Sequence, residues 1–90
     1  MNAERRKAIK TVMEQIEALK ATVEGLQSQI ETLRDDEQEY FDNMPESLQG
    51  GSKGSAAEDA VNNLDSGLDA IDEIIPQLDE ALSSLAEASN

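Results

Sequence analysis

Ninety residues make one small domain, near the size at which a single apolar core is barely sufficient. Cysteine and histidine are absent, which excludes disulfides, thiolate nucleophiles and the usual general base and zinc ligand. The net charge of −13 disfavours nucleic acid and anionic membranes as direct partners and favours basic protein surfaces.

From Ile9 onward the apolar residues fall at Ile9, Val12, Ile16, Leu19, Val23, Leu26, Ile30 and Leu33, in alternating steps of three and four. That is a heptad seam, with β-branched residues at every a position and leucine at d except for Val12. The frame continues through Glu37, Tyr40 and Met44, so the spacing predicts a helix from about residue 3 to 43, with Glu37 as the one polar core position. Pro45 disfavours helical geometry at the residue before it and ends the run.

A connector follows over about residues 44–54. Its three glycines suit a chain reversal and offer positive φ angles. Ser55 and Glu58 have the spacing of a capping box. They predict a second helix over about 55–89, whose apolar row runs Ala57, Val61, Leu64, Leu68, Ile71, Ile75, Leu78, Leu82 and Leu85. Pro76 lies at an outward position of that helix, where it is expected to kink rather than end it.

The two rows are complementary in reverse. Pairing Ile16 with Leu85, Val23 with Leu78, Leu26 with Ile75 and Leu33 with Leu68 keeps the paired numbers at a constant total of 101, with the pivot between Gly50 and Gly51. The expected fold is therefore all-α: an antiparallel two-helix coiled-coil hairpin forming a single domain over 1–90. A parallel pairing of two first helices is the competing arrangement, since Ile or Val at a with Leu at d favours it. Two helices cannot hide both apolar stripes, so the hairpin is expected to dimerise or assemble further into a bundle. Ile74 and Ala81 would lie in the leftover flank.

The charge is unevenly spread. Residues 1–34 are nearly neutral, whereas 35–90 carry a single lysine against fifteen acids. In hairpin register Arg5, Arg6, Lys7 and Lys10 would come alongside Asp79, Glu80 and Glu87 and be partly neutralised. The remaining acids suggest two candidate surfaces. Tyr40, Phe41 and Asp42 set the chain's only aromatics among carboxylates beside the connector, a composition suited to anchoring an interface. Asp65, Asp69, Asp72 and Glu73 begin an acidic stripe whose carboxylates, one helical turn apart, are spaced roughly 5–6 Å. That is close to the phosphate spacing of one nucleic-acid strand, so the stripe could imitate DNA. The plainer reading of both surfaces is a solvated helix face. The run from Asp35 to Asn43 lacks the spacing and central glycine of an EF-hand loop, and no metal or cofactor is expected.

The segment Glu39-Tyr-Phe-Asp-Asn-Met-Pro-Glu-Ser-Leu-Gln-Gly, within Asp35 to Gly54, resembles the connector of small phage and prophage proteins that look like acidic helical hairpins. The resemblance covers about twenty residues and carries no catalytic residue. It implies a protein that binds and disables a host factor in the host cytoplasm.

The expected function is non-enzymatic. The chain would associate with itself and with a host protein of basic surface, inhibiting or regulating it. DNA mimicry, a purely structural oligomer or scaffold, and a small-ligand sponge with pockets between subunits are the alternatives. No apolar run approaches the roughly 18 residues that a bilayer span needs, and a soluble cytoplasmic protein is expected.

Overall fold

The computed structural model describes residues 1–90 and is entirely helical, without strands. Helix α1 spans Ala3–Asp42, α2 Glu46–Gln49, α3 Ser52–Asp72 and α4 Ile74–Ala88. The molecule is a rod of 69 × 14 × 13 Å.

Helix α1 starts where Asn2, in extended conformation, accepts the Arg5 amide at 2.8 Å through its side chain. This satisfies one of the orphan donors of the first turn. The helix ends at Asp42, and Asn43 closes the last turn by donating its amide to the Glu39 carbonyl at 3.0 Å. Pro45 then caps α2, its carbonyl accepting the amides of Leu48 at 2.8 Å and Gln49 at 3.1 Å.

The reversal differs from the expected open connector. A four-residue helix occupies it, and α3 begins at Ser52, with Gly51 as its N-cap. Ser55 is already inside the first turn, donating its amide to the Gly51 carbonyl at 3.0 Å, so the Ser55–Glu58 capping box does not form. No glycine has positive φ. Gly54 is needed for proximity instead: a Cβ there would collide with the Gln49 backbone, so α3 approaches the end of α2 as only glycine allows. Gln49 adds a tie to α1, its amide nitrogen donating to the Phe41 carbonyl at 3.0 Å.

The return path is interrupted once. Pro76 has no amide hydrogen, and its ring crowds the carbonyl four residues back, that of Asp72. The regular pattern stops there and resumes at Ile74, while Glu73 keeps helical dihedrals of −69° and −21° and a long 3.3 Å bond to the Asp69 carbonyl.

Helix α1 packs against both α3 and α4. Three polar contacts run along this packing. Lys20 Nζ meets Asp79 Oδ1 at 2.7 Å, Gln27 Nε2 meets Asp72 Oδ1 at 2.6 Å, and Arg34 Nη1 meets Asp65 Oδ1 at 3.2 Å. The numbers rise by seven on α1 and fall by seven on the return path.

The face that α1 turns inward departs from the expected one. Its covered residues are the a row (Ile9, Ile16, Val23, Ile30) together with the e row (Met13, Lys20, Gln27, Arg34, Phe41). The d residues Val12, Leu19, Leu26, Leu33 and Tyr40 stay exposed, from 41% at Leu26 to 56% at Leu33, whereas Val23 is only 5% exposed. Relative to an a/d seam, α1 is rotated by roughly 50° about its axis, at about 100° per residue. The rotation brings Lys20, Gln27 and Arg34 within reach of three aspartates. The e row thus faces α3 and α4, and the leucines of the d row are left out. The return path keeps its expected seam, with Ala57 and Leu68 buried and the rest of that row half-buried.

Candidate interaction surface

The acidic candidates separate by heptad position. Asp65 and Asp72 sit at e, facing α1, where they accept from Arg34 and Gln27; Asp79 in the same row accepts from Lys20. Asp69 and Glu73 are exposed and take part in no side-chain hydrogen bond or ion pair. The stripe read from sequence is therefore two rows, one occupied within the chain and one free.

Tyr40 and Phe41 also part. Tyr40 is at d and exposed, while Phe41 is at e and half-buried in a small groove with Gln38, Glu58, Val61 and Asn62. Asp42 accepts from Gln38 Nε2 at 2.9 Å, one turn back. The two aromatics thus lie on adjacent rows of α1, one exposed and one partly covered.

The basic cluster behaves otherwise than expected. Arg5, Arg6, Lys7 and Lys10 form no ion pair; the cations that do are Lys20 and Arg34. Arg34 bridges Asp35 at 3.1 Å and Asp65 at 3.2 Å, and these two bonds hold its guanidinium in the charged form, above its ordinary pKa. The hydrogen bond to Asp79, helped by the charges of Asp79, Glu24 and Glu17, likewise raises the Lys20 pKa. Both pairs are solvent-accessible, so they fix register more than they stabilise.

What sequence reading missed is the row left over. Val12, Leu19, Leu26, Leu33 and Tyr40 recur every seventh residue along α1, all exposed. The signal was present in the e row: a seam flanked by Lys20, Gln27 and Arg34 opposite three aspartates can be zipped on that side, at the expense of d. A shallow groove beside Leu33, lined by Ser28, Gln29 and Thr32, opens on the same side of α1.

No three acidic residues converge in a way that would hold a metal ion, and no helix is long and apolar enough to cross a membrane. Comparison with protein-family models, curated proteins and solved structures yields no match.

Proposed function

We propose that the chain is a non-enzymatic association module: an antiparallel coiled-coil hairpin whose unfilled row on α1 takes up a further helix. The observation that carries this is the exposed row Val12, Leu19, Leu26, Leu33 and Tyr40, at heptad spacing on a 40-residue helix. Five large apolar side chains in line exceed the scattered exposure ordinary for a soluble surface, and contiguous apolar patches mark interaction sites. The polar contacts support the hairpin register. Their numbers total 99, the value that e–e pairs take when the core a–d pairs of two opposed helices total 101. Sedimentation of the labelled chain, alone and in lysate, tests the reading. Species heavier than the monomer are expected, and they should vanish when Leu19, Leu26 and Leu33 become Gln. A wild-type chain that stays monomeric in both settings refutes it.

A second reading rests on the acids that remain free. Asp36, Glu39, Glu46 and Asp59 near the reversal, with Asp69 and Glu73 beyond it, have no ion-pair partner. They suit a host protein of basic surface, the role implied by the connector's resemblance to phage hairpins. Long-range attraction would then steer binding, and association would slow as salt rises. An association rate indifferent to salt sinks this second reading.

A further inference from the structure

We propose that the helix completing the α1 row belongs to a second copy of this chain, laid alongside with its turn at the opposite end. This rests on the association reading above and names its occupant.

The first support is where charge is missing. The e rows of α1 and of the return path meet on one side of the rod, so the d and g positions of α1 and the g positions of the return path lie on the other. On that side the c and g positions of α1 from Ala8 to Thr32 carry no charged residue, and neither do those of the return path from Ala56 to Ala88. The chain as a whole is 30% charged. A partner of basic surface would be met by carboxylates on the docking face, and here there are none. For two chains of net charge −13, a face without charge is the one of least repulsion.

The second support is size. The charge-free stretch of α1 is roughly 40 Å long at 1.5 Å per residue, on a rod 69 Å long and 13 Å across. One side therefore offers roughly 500–900 Å² per copy, around the ~800 Å² per partner of a standard stable interface.

The third support fixes orientation. Between Asp35 and Asp59 the chain carries eight acids and only Lys53. Turns placed together would crowd two such ends, whereas opposed turns separate them. A two-fold axis through the middle of the charge-free stretch, beside Lys20 and Ala21, sets Arg5 of one copy, at d, level with Asp36 of the other, at g. Arg5, which finds no ion pair within its own chain, then meets an acid. In the same register Leu19 comes level with Thr22 of the second copy and Leu26 with its Gln15, each between two of that copy's exposed d residues. The rows interdigitate as knobs in holes, and the contact is isologous, as a two-fold dimer requires.

The chain lacks cysteine, so single-cysteine variants report neighbours directly. With a short bis-maleimide, Thr22→Cys is expected to give a covalent dimer, while Leu48→Cys at the turn and Glu24→Cys on the opposite side stay monomeric. Ala18→Glu with Gln29→Glu, both exposed in the single chain, should weaken dimerisation at least tenfold and keep the helical signal. Crosslinking through Leu48→Cys overturns the opposed arrangement. A wild-type monomer by sedimentation at every concentration overturns the second copy. A complex seen only in lysate would do the same, yet leave the association reading standing with a different helix.

Discussion

Arg34 reaches Asp65 across the rod at 3.2 Å while holding Asp35, its own neighbour in sequence, at 3.1 Å. One guanidinium thereby fastens the return path and shields one acid on each side of the contact. Because the pair is exposed, its strength depends on screening. Arg34→Met should lower Tm slightly at low salt, and the difference should close at about 1 M salt. A double-mutant cycle with Asp65→Asn isolates the coupling; an equal loss at low and high salt would assign the effect to packing by the arginine stem.

Two glycines four residues apart should respond in opposite directions. Gly54→Ala drives a methyl group into the Gln49 backbone, and the clash is expected to cost about 1–3 kcal/mol. At Gly50 an added Cβ meets nothing within 4 Å, and φ is −81°. Gly50→Ala should therefore gain about 0.4–1 kcal/mol by restricting the unfolded chain. Urea unfolding of both variants decides it, and equal effects would place the tight contact elsewhere.

Side-chain size and mutational cost should be uncoupled along the seam. Leu68, 5% exposed, should lose about 2–5 kcal/mol on change to Ala. Leu26, 41% exposed, should lose under about 1 kcal/mol at dilutions where the chain is monomeric. If a second helix covers Leu26, the cost of Leu26→Ala grows with protein concentration. Concentration-dependent thermal melts of the two variants provide the comparison.

Lys20 supplies a pH dependence on the alkaline side. Its bond to Asp79 raises its pKa above the ordinary 10.5. A raised folded-state pKa means that the stabilising contribution is complete below the unfolded value and disappears as pH rises through the folded one. The Tm difference between wild type and Lys20→Met should be constant up to about pH 10 and shrink above it. A difference unchanged at pH 11.5 would show that the ammonium charge is not what matters.

The sequence exposes some of this architecture and conceals the rest for physical reasons. The bounds of α1 are legible because Pro45 blocks the helix and the heptads leave no gap before it. The position of Pro76 likewise marks the break at Glu73. The start of α3 is not legible: Ser55 and Glu58 spell a cap, but Gly54 lets α3 begin against Gln49, and the helix gains a turn from that approach. The rotation of α1 is not in the apolar pattern, which reports which residues are apolar and not which flank of the seam turns inward; its only trace is the polar e row of Lys20, Gln27 and Arg34. Lys20, Gln27 and Arg34 face the return path, and the d row, read as core, is surface. The candidate site fared similarly. The heptad frame puts Asp65 and Asp72 at e and Asp69 at b, but only the position of α1 shows that the e acids find partners.

The slender outline of the molecule affects how it moves through solution. Its radius of gyration is 20.3 Å, whereas a compact chain of this length would have about 12 Å. By that scaling, 20.3 Å belongs to a globular protein of roughly 350 residues. A single 9.8 kDa copy will therefore leave a gel-filtration column far ahead of spherical standards of its mass, mimicking an oligomer. Two copies side by side, by contrast, thicken the rod more than they lengthen it, and elute less far ahead of the single rod than a doubled mass suggests. Elution volume thus compresses the step from one copy to two, whereas light scattering, which weighs mass directly, keeps it.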